Sequence, residues 1–149
     1  MSGEQCAGEI LDVVPLIMHQ IRTEMRSHRG AGLSVPQFRV LTFLGNHPGA
    51  SLSDAADHHG LTLPSMSVMV ESLVSRGLVI RESSSADRRR IILTLSARGR
   101  ILLAQARRAT RARLSECLEG ISPAKRARIT ASMRDLRPLF APPHTDPER

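Results

Sequence analysis

The residues best suited to chemistry stand together at Asp87-Arg88-Arg89-Arg90, three guanidinium groups and a carboxylate inside a polar stretch with apolar segments on both sides. A guanidinium fork matches phosphate and the electronegative floor of a nucleic-acid groove, so the stretch reads as an anion-recognition loop; the plainer alternative is a solvated turn. The wider charge pattern agrees with recognition. The chain carries a formal net charge of +7, and nine Arg with no acidic residue lie between Arg88 and Ser115. Residues 62–75, by contrast, hold no Lys or Arg. Such a balance suits a polyanion, nucleic acid ahead of an anionic membrane surface.

Other reactive groupings are sparse. Cys6 and Cys117 are the only cysteines, too few for a disulfide framework, and they point to a reducing cytoplasm. His58 and His59, with His47, are the densest imidazoles, but neighbours on a helix point to different sides. No His-x-x-x-His or Cys-x-x-Cys spacing occurs, so no metal is expected. Neither a Gly-rich phosphate loop nor a Ser/His/Asp arrangement is present, which leaves an enzyme or a cofactor without support. No apolar run approaches a membrane span, and Glu4 and Glu9 interrupt the start where a signal peptide would be apolar.

These side chains need elements to hold them. Ile10, Val14, Ile17, Ile21 and Met25 fall on one helical face, which Gly30 and Gly32 end. Ser34 opens a second helix with Pro36 early and Phe38, Leu41 and Leu44 apolar, stopped at His47-Pro48-Gly49. Ser53 is expected to cap a short helix through His59, broken by Gly60. Thr62 caps the next, in which Met66, Met69, Val70 and Leu73 turn inward until Gly77. Residues 78–82 and 91–95 have strand composition and flank the arginine loop as a hairpin. Ser96 then caps a long helix with Leu103, Ala106, Thr110, Leu114 and Cys117 on one stripe, ending near Gly120. A last helix starts at Ser122-Pro123 and carries Ile129, Met133, Leu136 and Phe140.

The fold class is therefore mainly α with a small β-hairpin, a winged helix-turn-helix flanked by terminal helices. Ala56 is the small residue where two steeply crossed helices touch, Gly60 the turn residue free to take positive φ, and Leu61 the residue that closes the gap. The expected organisation is a dimerisation helix in 1–33, a DNA-binding lobe in 34–95, dimerisation helices in 96–140 and a disordered tail in 141–149. Excess apolar surface on the terminal helices predicts a symmetric homodimer. On the helix over 62–77, Thr62, Ser65 and Ser67 can hydrogen-bond bases or phosphates, while Leu63, Pro64 and Val68 can touch thymine methyls. Arg39 and Arg76 would add scattered electrostatic hold, whereas Arg107, Arg108, Arg111 and Arg113 read as a solvated helix face.

With these elements in order, residues 8–140 resemble the multiple-antibiotic-resistance regulator (MarR) family. The carrying residues are Leu78-Val79-Ile80-Arg81 and the segment from Asp87 to Gly99, in which Asp87, Arg89, Leu95, Ser96 and Gly99 have the family spacing. The resemblance implies a cytoplasmic homodimer on a pseudo-palindromic operator in double-stranded DNA, with Arg89 in the minor groove, Asp87 orienting it, and Arg88 and Arg90 on phosphates. One departure is Val68, where the family commonly has a basic residue. The resemblance further implies a repressor, with activation the alternative, released by an aromatic or anionic effector bound between the DNA-binding lobe and the dimer helices. Met18, His19, Arg22 and Phe38 are the expected lining. Organic-hydroperoxide-sensing relatives suggest a thiol-based switch at Cys6 or Cys117, but they support the thiolate with tyrosines and this chain has none. A non-specific architectural DNA-binding protein and a winged helix serving protein interaction are the remaining alternatives.

Overall fold

The computed structural model describes residues 1–141; the tail expected over 141–149 otherwise lies outside the described residues. Helix α1 (Gly3–Ser27) starts from a capping box in which Ser2 Oγ accepts the Gln5 N–H and the Gln5 side chain accepts the Ser2 N–H. Of its expected stripe, Met25 is buried and Ile21 packs against the core, while Val14 and Ile17 remain exposed along with Leu11 and Leu16. Helix α2 (Val35–Asn46) repeats the device with Ser34 and Gln37, and buries Phe38, Val40, Leu41, Phe43 and Leu44.

Helix α3 (Leu52–His59) is capped by Ser51 and not by Ser53. Ser51 Oγ accepts the Asp54 N–H (3.0 Å) and the Asp54 carboxylate accepts the Ser51 N–H (2.9 Å), a reciprocal pair that starts the helix earlier than expected. Gly60 follows in the left-handed region (φ 64°), and its turn leads into helix α4 (Leu63–Ser75), capped by Thr62. Ala55 and Ala56 are buried where the two helices meet, with Met66, Val70 and Leu73 of α4. Leu61, expected to close the gap, is partly exposed, and its N–H is spent on the Ala56 carbonyl.

Helix α4 ends in a turn where Gly77 (φ 72°) lets the Leu78 N–H reach back to the Leu73 carbonyl. The Leu78 carbonyl still accepts the Ser96 N–H, but β1 (Val79–Ser83) starts one residue later than expected. It pairs antiparallel with β2 (Ile91–Leu95) in the register Val79↔Leu95, Arg81↔Leu93 and Ser83↔Ile91. The hairpin is fastened to the start of α3: the Leu93 N–H donates to the Ala50 carbonyl (2.9 Å), and Ser51 bridges to Ile92.

Helix α5 (Ala97–Cys117) opens on Ser96, whose Oγ accepts the Gly99 N–H and donates to the Gly77 carbonyl. Gly99 is required there, since a Cβ would run into the Leu78 carbonyl oxygen. Gly99, Leu103, Ala106 and Thr110 are buried; Leu114 is half-buried and Cys117, expected on the same stripe, is exposed. Packing divides the chain within this helix, into Met1–Arg111 and the part from Ala112 onward. Every buried core residue belongs to the first unit. The second contains helix α6 (Pro123–Phe140), capped by Ser122, which buries none of its own residues. Among the described residues no helix is long and apolar enough to cross a membrane.

Candidate nucleic-acid interface

The outer face of α4 follows from its inner one. Met66, Val70 and Leu73 turn inward, which leaves Leu63 (50% exposed), Pro64, Ser65 and Val68 (68% exposed) toward solvent as an uncharged surface. Thr62 Oγ1 accepts the Ser65 N–H and donates to Ser65 Oγ (3.0 Å), so these two hydroxyls serve the helix start as well as any ligand.

The loop between β1 and β2 holds its own shape. Ser84 Oγ accepts the N–H groups of Ala86 and Asp87, and the Asp87 carboxylate accepts the backbone N–H of Arg89 (3.0 Å). Asp87 therefore orients Arg89 through the main chain of the turn, and not by gripping its guanidinium fork as expected. Arg88, Arg89 and Arg90 are all exposed. Arg90 leans back on Asp54 (3.5 Å), a half-exposed pair that ties the wing to the cap of α3 and contributes little stability by itself.

These parts enclose a groove of about 280 Å³, walled by Leu52 and Ser53 of α3, by Leu63, Pro64 and Ser67 of α4, and by Arg89 and Ile91 of the wing. Ser53 is thus a wall of the groove and not a cap. Arg81, absent from the expected site, reaches from β1 to donate from Nη1 to Ser67 Oγ (3.2 Å). The signal for it lay in the strand alternation, which puts Arg81 on the same face as the buried Val79 two residues earlier.

Other expected contacts are not brought to the groove. Arg76 is the C-cap of α4, at the far end from Thr62 and about 20 Å along the axis, with its guanidinium against Gly32. Arg39 is exposed on α2, where its charge bears on His58. The adjacent His58 and His59, expected to diverge, both contact Phe43, with ring centroids 4.5 and 5.5 Å from it, and His47 stacks on it at 4.3 Å. Desolvation there, then the charges of His59, His47 and Arg39, hold the His58 pKa below the usual 6.5. Among the described residues no group of three His, Cys, Asp or Glu could hold a metal ion.

Phe38, expected to line an effector pocket, is 1% exposed within the core. Met18 is half-buried on α1, with His19 and Arg22 exposed. A cleft of about 350 Å³ lies elsewhere, between the end of α2 (Leu44, Gly45), Pro48, β2 (Leu93, Leu95) and α5 (Leu103), with Arg100 and Arg107 at its wall. Arg100 donates to the Leu95 carbonyl (3.0 Å) and Arg107 to Asn46 Oδ1 (2.8 Å). Cys6 and Cys117 are exposed thiols on α1 and at the end of α5.

A short helix, a glycine turn, a second helix without Lys or Arg and an arginine-tipped hairpin define a winged helix-turn-helix protein. The sequence profile of the MarR family matches residues 31–90. The transcriptional regulator HosA of Escherichia coli is 34% identical over 97 residues, covering 59% of this chain and 70% of HosA. The chain belongs to the MarR family. The HTH-type transcriptional repressor Rv2887 of Mycobacterium tuberculosis is 36% identical over 81 residues, 54% of this chain; the match spans only 58% of that repressor's length. In solved structures the fold recurs in Streptococcus pneumoniae FabT, crystallised with DNA, at a TM-score of 0.59 and 21% identity over 91% of this chain and 96% of FabT.

The Ser51–Asp54 cap carries a pH dependence. Hydrogen bonds from the backbone and side chain of Ser51, then the Arg90 charge, outweigh desolvation and hold the Asp54 carboxyl below its usual 3.8. A carboxylate lowered on folding stabilises the fold above 3.8, and that contribution disappears as pH falls below it. Urea unfolding should therefore show Asp54→Asn less stable than wild type at neutral pH, with the gap closing below pH 3.8. A gap independent of pH would contradict this account of the cap.

Proposed function

We propose that the chain is a dimeric, sequence-specific DNA-binding regulator of transcription that acts in the cytoplasm and represses by occupying its operator. The observation that carries this reading is the groove that puts Arg89 of the wing beside the uncharged face of α4. Helix α4 is long enough to cross a major groove, where Leu63, Pro64 and Val68 suit thymine methyls and Ser65 and Ser67 suit polar base edges. A wing arginine suits the narrow, electronegative minor groove beside it. Arg88 fits a phosphate contact, and Arg90 can make one by leaving Asp54. The names of the relatives Rv2887 and HosA, a repressor and a transcriptional regulator, support the reading.

Fragments selected from the source genome should yield an operator bound about 10³-fold or more over random DNA. Arg89→Ala should cost tenfold or more in operator affinity, about 1–3 kcal/mol. Equal affinity for operator and random DNA would make the protein architectural. No steep salt dependence would make the wing a protein-interaction surface.

Two copies would place two α4 helices in successive major grooves, about 10 base pairs apart. The open stripe of α1, with Leu11 72% and Leu16 70% exposed, supports a seam between copies, as do the exposed Ile129, Met133 and Phe140 of α6. Sedimentation should give twice the mass of one chain, and Leu16→Glu should shift it to one. A wild type that sediments as a single chain would remove the dimer.

For an effector, the cleft beside Arg100 and Arg107 supports a small aromatic anion better than the positions around Phe38, because it pairs an apolar floor with two guanidinium groups. Such a ligand releases DNA only as far as it prefers the unbound geometry. In a panel of aromatic carboxylates, any that releases operator DNA should need about tenfold more with Arg107→Ala. An unchanged release concentration would place the effector elsewhere.

A further inference from the structure

We propose that Arg81, docked on Ser67, contacts a DNA backbone phosphate between the reading helix and the wing, and so sets the register of both on the duplex. This rests on the DNA-binding reading above. In an antiparallel ladder directly paired residues share a face. Arg81 pairs with Leu93, and Val79 two residues earlier pairs with Leu95; Val79, Leu93 and Leu95 are all buried. Arg81 thus occupies a register position that faces the core, where a charged side chain must lay its stem along apolar surface and carry its head past the rim. The head emerges at α4, with Nη1 3.2 Å from Ser67 Oγ.

Three features select the ligand class. Among the described residues Arg81 makes no ion pair, so its charge is uncompensated by the protein. Ser67 Oγ accepts from Arg81, which leaves the hydroxyl hydrogen and the remaining guanidinium N–H groups to donate, and a cationic set in which donors predominate calls for an anionic acceptor such as a phosphate oxygen. Position decides between phosphate and base. Ser67 walls the same groove as Arg89, with the exposed face of α4 on one side and the wing on the other. When one element lies in a major groove and the next in the adjacent minor groove, what passes between them is the sugar–phosphate strand. Arg81 would thereby supply the cation that α4 lacks, from a strand instead of from the helix.

The test uses the full chain and two short duplexes: one selected by the wild-type protein from random sequence, the other its scrambled counterpart. Binding is measured across a salt series for wild type, Arg81→Ala, Arg81→Gln, Arg81→Lys and Ser67→Ala, with thermal melting to establish folding. For Arg81→Ala the plot of log affinity against log salt should flatten by about one ion, with a loss of about tenfold on both duplexes alike. Arg81→Gln should do the same if the alanine variant does not fold. Arg81→Lys should keep the wild-type slope, and Ser67→Ala should keep the slope while weakening affinity. A folded Arg81→Ala or Arg81→Gln with the wild-type slope would overturn the proposal, as would a loss confined to the selected duplex, the mark of a base contact. If the wild type binds neither duplex, the DNA-binding reading fails and this proposal with it; a wild type that binds while Arg81 proves silent removes only the proposal.

Discussion

The main chain at Ala50 and Ser51 holds the two halves of the proposed interface together. The Ala50 carbonyl accepts from Leu93 and Ser51 bridges to Ile92, so this short stretch acts as a third partner for the hairpin. The same Ser51 caps α3, whose axis and glycine turn set the start of α4. The start of α3 and the root of the wing consequently share one anchor. Arg90 extends the tie from the wing to Asp54, within the same cap. Moving this junction by one residue would change which side of β2 meets the core, because side chains alternate along a strand.

Around that anchor the charge is divided unusually. The face of α4 that is free to meet a ligand is apolar and hydroxylic, while the nearby cations come from the hairpin, at Arg81 and at the arginine loop. Hydroxyls and methyl contacts discriminate by fit at close range, whereas guanidinium groups hold polyanions at longer range with little regard to sequence. On the proposed reading, specificity and hold fall to different elements. The rigidity of the Ala50–Ser51 junction matters for that reason: contacts on separate elements act together only if the distance between them is kept. Loop geometry serves the same end, since Ser84 and Asp87 spend their side chains on backbone N–H groups and take none of the arginine heads.

Much of this was legible along the chain, where the determinants are local. Thr62 before Leu63, Gly60 and Gly77 at turns, and the inward spacing of Met66, Val70 and Leu73 act within a few residues of one another. Residue type and spacing sufficed to place the turn, the reading helix and the wing. Ser51 and Ser53 both carry a hydroxyl able to cap α3; what separates them is the pairing of Ser51 with a strand about forty residues later, which propensity cannot express.

The sequence by itself determined the order of elements, the basic wing and the helix without Lys or Arg, because periodicity, caps and charge are properties of short segments. Only the tertiary structure decided which side chains share a surface. It put Phe38 inside the core, set the Arg76 guanidinium against Gly32, and gathered three histidines on Phe43 from the end of α2 and from α3. It also led Arg81 out of an inward-facing strand position to Ser67, fourteen residues earlier in the chain. The physical reason is common to all four: burial and contact depend on how helix and hairpin axes cross, and those crossings are set by close packing between residues far apart in sequence.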